Sequence, residues 1–302
     1  MAILWCFLNS CNEYVSAPTE SKIHGSFTED DPRVTVTIKD TIRIKNYFKF
    51  IDDVVGAHNS STDYKLTERL LVHANPWVID SLEQTDYYRA KERGLQVYDQ
   101  KEMIILKPGQ LLEIPTKREA DQLLKKMQKT YLDINIPEFR LRIIEDTAVL
   151  YSLPIRVGQH RVRYLELGKG KVDLRTKTGS GTVVAYRRQP VYYNPVDGKH
   201  YVRTRRDDEY VSMMPWIPST ELEINGVRNG QLIHATTNPV TLEKAYSNGC
   251  IGTTESDAWL VYYYSQLGTP VQIRYTLQVE DSGGEVRRLE DIYGIGAEQA
   301  EN

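Results

Sequence analysis

Three hundred and two residues, 40% hydrophobic and 26% charged, make a chain long enough for about two domains at roughly 150 residues each. The net charge of −3 and the pI near 6.1 give no global signature of nucleic-acid binding; the mean hydropathy is −0.48, and no run approaches the roughly 20 apolar residues that span a bilayer. Three cysteines also exclude a disulfide framework; Cys6 and Cys11 sit near the N-terminus and Cys250 stands alone far downstream.

Residues 2–8 read AILWCFL and run into Leu8-Asn9-Ser10-Cys11, with no Lys or Arg before them. The segment resembles a bacterial lipobox, in which a small residue precedes the cysteine that becomes lipidated. The resemblance implies export to the periplasm or cell envelope, membrane association through a lipid on Cys11, a signal segment at 1–11 and a polar tether at 12–33. Cys250 is then the one thiol of the folded body, without a disulfide partner, and calls for a chemical reason.

Residues 34–134 read as an accessory region, mainly helical but mixed α+β. Val34, Val36 and Ile38 alternate with polar residues, as in a strand or the lead into a helix. Helices are expected over 70–81 and 85–93, the first interrupted at Asn75-Pro76 because the residue before proline avoids the α region. Residues 104–115, IILKPGQLLEIP, give a hairpin or strand–turn–strand signal around Lys-Pro-Gly. Part of this stretch is similar to the closing strand of LysM peptidoglycan-binding repeats, which suggests a LysM-like segment at 96–116. Thr116 and Glu119 form a capping box, followed by an apolar stripe of Ala120, Leu123, Leu124 and Met127.

After Pro137 the chain turns strand-rich. Short β-branched or aromatic runs at 139–145, 148–157, 161–167 and 181–186 alternate with glycines and turns, and no amphipathic helix is expected before Thr254. The second domain therefore spans 135–279, with an acidic tail at 280–302. Charge is uneven: residues 156–206 carry thirteen Lys/Arg against Glu166, Asp173 and Asp197, while 280–302 carry seven acids against two arginines. The basic stretch reads as a solvated face or as a surface for an anionic polymer; an aromatic-plus-basic RNA-binding core is absent, so no nucleic-acid partner is expected.

Chemistry concentrates in residues 231–275. Cys250 lies in the turn Ser247-Asn248-Gly249-Cys250-Ile251, just before a capping signal at Thr254-Glu255-Ser256-Asp257 that opens a helix through Leu267. A helix start so close downstream would lower the thiol pKa, and Gly249 would let backbone N–H groups approach a carbonyl as an oxyanion hole. His234 follows Leu232-Ile233 and could face the thiol from a strand end, giving a cysteine–histidine pair for acyl transfer. No second Cys or His stands at zinc-ligand spacing.

The pattern resembles the catalytic core of L,D-transpeptidases, the YkuD-type domain. The family has a histidine followed, a dozen or more residues on, by Ser-x-Gly-Cys-Ile/Val-Arg; the matching positions are His234, Ser247, Gly249, Cys250 and Ile251, with Gly268-Thr269-Pro270-Val271 closing the unit. Upstream, Leu153-Pro154-Ile155-Arg156-Val157-Gly158 is similar to an early family strand, and Thr176-Lys177-Thr178-Gly179 to the family's Thr-Pro-Thr-Gly turn; Asn225-Gly226 fits less clearly. Two positions depart: Gly252 replaces the family arginine and Ala235 the glycine after the histidine.

The resemblance implies a strand-rich mixed β sandwich or barrel-like domain. It also implies a thioester enzyme that joins peptidoglycan stem peptides by 3→3 cross-links, is blocked covalently by carbapenems, and needs no metal or organic cofactor. Cys250 would be the nucleophile and His234 the base. Gly249 and Cys250 would supply oxyanion N–H groups, Ser247 would tie the turn to the His234 side, and the Ala235 carbonyl would orient the ring. Arg228 or Lys244 would supply the missing positive charge. The same site could instead serve an L,D-carboxypeptidase or cross-link hydrolase, an inactive domain, or a non-catalytic wall-binding scaffold.

Overall fold

The computed structural model describes residues 34–62, 64–280 and 283–295, so Cys6, Cys11, the lipobox and the 12–33 tether lie outside the described residues. The accessory region begins with β1 (Val34–Thr37), β2 (Ile42–Arg43) and α1 (Ile44–Asn59), followed by α2 (Glu68–Ala74), α3 (Trp77–Glu83) and α4 (Tyr87–Glu92). Asn75-Pro76 divides α2 from α3, and the buried Asn75 side chain exchanges hydrogen bonds with the Glu113 backbone at 2.8 and 2.9 Å. Next come β3 (Ile104–Leu106) and β4 (Leu111–Ile114). Of the two readings of 104–115, strand–turn–strand holds and the hairpin does not: both strands form around the turn, but β4 pairs with β1 and β3 with β2, because residues 34–43 provide apolar partners for both. The region ends with α5 (Lys117–Met127), where Thr116 and Glu119 make both halves of the capping box.

The body is an eight-stranded sheet. Its strands are β5 (Thr130–Asn135), β6 (Arg140–Glu145), β7 (Ala148–Pro154), β11 (Gly179–Arg187), β16 (Ser219–Ile224), β17 (Leu232–Ala235), β19 (Ile251–Thr253) and β20 (Pro270–Arg274), in the order β19-β17-β16-β11-β20-β5-β6-β7. It starts at Thr130, ahead of the boundary expected at 135. Between β7 and β11 lie β8 (Val157–Gly158) and the hairpin of β9 (Val162–Leu165) with β10 (Gly170–Asp173). Two further small pairs, β12 (Tyr192–Tyr193) with β13 (His200–Tyr201) and β14 (Arg203–Arg205) with β15 (Val211–Met213), precede β16. Asn225 and Gly226, at φ 53° and 73°, make a two-residue turn after β16, the left-handed conformation such turns demand.

Chain leaving edge strand β7 crosses to the opposite edge. Arg156 makes an antiparallel bridge with Gly252 of β19, and β8 pairs with β18 (Ala245–Ser247). The sheet thereby nearly closes into a barrel with the Cys250 turn at the seam.

One helix, α6 (Glu255–Tyr264), explains why the accessory region is there. Every residue from 255 to 263 is buried, including Trp259, Tyr262 and Tyr263, and a helix buried on all sides needs cover on all sides. The sheet covers one side of α6, and α2 and α3 the other. The two regions expected as separate domains accordingly share one hydrophobic cluster, from Ile38 to Tyr293. At the C-terminal end of α6, Arg69 donates to the Ser265 and Tyr262 carbonyls at 3.1 and 3.0 Å. A cation there meets the negative end of the helix dipole. Glu68 accepts from the Tyr262 and Tyr263 hydroxyls and pairs with Arg188 at 2.6 Å. The tail also returns to the body: β21 (Gln278–Glu280) pairs with β22 (Val286–Arg288), and Tyr293 is buried against Tyr275.

Candidate active site

β17 and β19 run parallel, with Ile233 opposite Ile251 and His234 opposite Gly252. Strand pairing thus sets His234 beside the turn that ends at Cys250. Leu232, Ile233 and Ala235 are buried, while His234 and Cys250 keep partial access to solvent.

The His234 Nδ1 lies 2.8 Å from the Ala235 carbonyl oxygen. A carbonyl only accepts, so Nδ1 carries the proton in the neutral ring and Nε2 keeps a basic lone pair. Burial, with the nearby Arg156 charge, lowers the imidazole pKa to about 4. It is a neutral base at neutral pH.

The thiol does not follow the sequence expectation. Burial pushes Cys250 up from its ordinary value; the Leu232 backbone N–H, Arg156 and Arg187 pull it partly back. The helix start offers no visible relief. β19 separates Cys250 from α6, the Asp257 N–H donates to Thr254 Oγ1 at 2.9 Å, and the Ser256 N–H donates to Asp86 Oδ2 at 3.0 Å. Thiol and imidazole both rest neutral on neighbouring strands, a state that suits proton transfer during an attack rather than a preformed ion pair.

Ser247 braces the turn from inside: its hydroxyl donates to the Cys250 carbonyl at 2.5 Å and accepts the Gly249 N–H at 3.2 Å. The tie expected toward His234 is instead a tie within the turn. Gly249, at φ 113°, adopts backbone that L side chains rarely take, and its carbonyl accepts from Thr176 Oγ1 at 3.1 Å. Thr176 Oγ1 also accepts the Gly158 N–H at 2.8 Å, and the Tyr293 hydroxyl donates to the Gly158 carbonyl at 2.6 Å. Three motifs distant in sequence, 153–158, 176–179 and 247–251, become one hydrogen-bonded support for the cysteine.

Neither expected cation sits at the thiol. Lys244 is exposed and gives its carbonyl to the Val157 N–H at 3.1 Å. Arg228 is half exposed and pairs with Glu221 at 2.8 Å. The charges that act on Cys250 belong to Arg156 and Arg187, and Arg187 lies 3.5 Å from Glu221. Reading the sequence missed Arg156, Thr176 and Tyr293 as parts of the site. The available signal was a coincidence: an arginine inside the 153–158 motif and a missing arginine at 252. Among the described residues no group of three or more His, Cys, Asp or Glu converges as for a metal ion.

Residues 129–273 match the family model of the YkuD L,D-transpeptidase catalytic domain. No curated protein matches the chain. Among solved structures, the chain is similar to an L,D-transpeptidase from Mycobacterium smegmatis, with 15% identity over 48% of this chain and 58% of that one, at a TM-score of 0.33. It is also similar to L,D-transpeptidase 3 from Mycobacterium tuberculosis in complex with a faropenem-derived adduct, with 18% identity over 48% and 60% and a TM-score of 0.32. An L,D-transpeptidase from Xylanimonas cellulosilytica aligns with 12% identity over 81% and 100%, at a TM-score of 0.36. The chain spans 58% of the length of the M. smegmatis protein. The matched segment, which holds the sheet from β5 onward, His234 and the Cys250 turn, belongs to the YkuD family of L,D-transpeptidase catalytic domains.

Proposed function

We propose that the chain is a peptidoglycan L,D-transpeptidase that forms 3→3 cross-links through a thioester on Cys250. The observation that carries this reading is the hydrogen bond from His234 Nδ1 to the Ala235 carbonyl, on the strand beside the cysteine turn and inside the YkuD segment. It leaves Nε2 as the basic nitrogen of the pair. His234 takes the Cys250 proton as sulfur attacks the carbonyl of the third, L-centred residue of a tetrapeptide stem. The bond to the terminal D-alanine breaks and His234 returns the proton to the departing amine. An amine of a second stem then attacks the thioester and gives a proton to His234, which returns it to the leaving sulfur. With the Gly249 N–H engaged by Ser247, the Cys250 N–H takes the oxyanion role.

Intact mass spectrometry with imipenem tests the nucleophile. One carbapenem adduct should form on the wild type, be absent in Cys250→Ala, and form at least about 100-fold more slowly in His234→Ala; an unmodified wild type would overturn the reading. With a disaccharide-tetrapeptide, a cross-linked dimer lacking one D-alanine supports the transpeptidase, whereas tripeptide alone would assign water as the acceptor. The same reading places the enzyme in the cell envelope, held through a lipid on Cys11. Palmitate labelling that is equal in the wild type and Cys11→Ala would remove the anchor from it.

A further inference from the structure

Position 252 is one of the two where this chain departs from the YkuD pattern, and the structure shows what fills the space. Arg156, on the segment between β7 and β8, exchanges two backbone hydrogen bonds with Gly252, at 2.9 and 3.0 Å. Its side chain then lies over the glycine: a Cβ on residue 252 would stand 2.5 Å from Arg156 Nε, 2.7 Å from Cγ and 3.0 Å from Cδ. Those separations are too short for any real side chain. Residue 252 must be glycine for Arg156 to lie where it does, and an arginine at 252 would displace Arg156.

The guanidinium is largely withdrawn from water. Its Nη1 donates to Thr241 Oγ1 at 3.1 Å, its buried Nε has no hydrogen-bond partner, and no carboxylate among the described residues pairs with it. A buried cation without a counter-ion is expensive, and a fold that keeps one has a negative charge to hold there at some stage. The groups that feel this charge are Cys250 and Tyr246, both able to become anions, and His234, whose protonation it opposes.

We propose that Arg156 is a positioning residue that supplies, from the opposite edge of the sheet, the guanidinium missing after the Cys-Ile pair: seated over Gly252, it holds the negative charge that develops on the Cys250 sulfur. When the thiol proton passes to His234, Arg156 favours the thiolate and disfavours the imidazolium, so the proton is poised to move on to the leaving amine. Arg156 and Gly252 are one exchange, an arginine lost on β19 and one gained across the seam. The inference rests on the thioester reading for the enzyme's turnover, but thiol reactivity toward a simple alkylating agent measures it independently.

The test uses the full chain with Arg156→Ala, Arg156→Lys, Gly252→Arg and the double variant Arg156→Ala/Gly252→Arg, following the pH dependence of iodoacetamide alkylation and the rate of imipenem acylation. Melting curves establish that each variant is folded. Arg156→Ala should slow acylation about 100-fold, the scale of losing one electrostatic group at a developing anion, and move the thiol titration to higher pH. Arg156→Lys should recover part of the loss, and the double variant at least about tenfold, because the guanidinium returns from residue 252 into vacated space. Gly252→Arg alone should be slower than wild type, since two side chains compete for one place. Folded Arg156→Ala with wild-type alkylation and acylation would overturn the proposal. So would a folded double variant no faster than Arg156→Ala; if Arg156→Ala fails to fold, the double variant and Arg156→Lys decide by the same readouts. Wild type that is alkylated but never acylated would sink the thioester reading alone, leaving the alkylation profiles to judge Arg156.

Discussion

At the junction of the accessory helices with α6, Arg206 is 2% exposed and paired with a carboxylate: Glu255 pairs with Nη1, Ser212 Oγ accepts from Nε at 2.8 Å, and the Tyr87 ring lies 4.4 Å from the guanidinium carbon. At the cysteine seam, Arg156 has one hydroxyl partner and a buried Nε with none. Both arginines come from the basic stretch 156–206, which sequence alone assigned to a solvated face or a polymer-attracting surface. The contrast separates two uses of one residue type. A buried charge with its counter-charge in place stiffens a junction, whereas one left without a counter-charge can answer a charge that appears only during a reaction.

The junction should therefore break hardest when its pairing is removed. Glu255→Ala leaves Arg206 buried without its carboxylate and also removes the acceptor of the Tyr87 N–H at 2.9 Å. A loss of about 3–5 kcal/mol in denaturant unfolding is expected, with imipenem acylation of the folded fraction within about threefold of wild type because the two sites share no partner. A loss below about 1 kcal/mol would mean that the junction draws little from the pair and would erase the contrast with Arg156.

Gly158→Ala attacks the seam through its backbone. A Cβ there would stand 1.9 Å from the Leu174 carbonyl oxygen and 2.6 Å from the Thr176 nitrogen, neither of which can swing aside like a side-chain tip. Overpacking of this kind costs about 1–3 kcal/mol. The displaced Thr176 should also loosen its hold on the Gly249 carbonyl, so acylation should fall by more than the stability loss explains. Equal acylation in a folded Gly158→Ala protein would show that the cysteine turn does not depend on this support.

Much of the architecture is legible in the sequence. The Thr116–Glu119 capping box, the break at Asn75-Pro76 and the strand runs after Pro137 are local signals, and each appears where local chemistry puts it. The pairing of β1 with β4 was not legible, because two short apolar runs around a turn carry no record of which strand each prefers. The single shared core was hidden for a similar reason: burial of α6 on all sides depends on packing between regions far apart in sequence. At the site, Cys250 and His234 stood out as residue types in a known order. Arg156 did not, since its meaning comes from lying across a seam from a glycine, and no spacing along the chain encodes that.

His234 sharpens the comparison through pH. Its pKa is lowered to about 4, so the ring stays neutral through the window between about 4 and its ordinary value near 6.5. Because the folded-state pKa lies below the unfolded one, its contribution to stability is complete above the unfolded value and is lost as pH falls toward about 4. The acid limb of imipenem acylation should accordingly have its midpoint near 4, and in Arg156→Ala it should rise, since one cause of the lowering is gone. A midpoint near 6.5 in the wild type would show that the imidazole is neither desolvated nor under the field of Arg156.

The smallest effect is expected where sequence reading first placed the missing charge. Arg228 is half exposed and its partner Glu221 also lies 3.5 Å from Arg187, while Lys244 is exposed and enters the site only through its backbone carbonyl. Exposed pairs contribute about 0–1 kcal/mol, and neither cation is among the groups that act on the Cys250 thiol. Arg228→Ala and Lys244→Ala should leave the alkylation profile of Cys250 in place and change acylation by less than about threefold, against the roughly 100-fold expected for Arg156→Ala. A large loss in either would move the working cation from the buried seam to the rim. The reactivity of the cysteine would then depend on ionic strength, as a solvent-exposed charge does and a buried one does not.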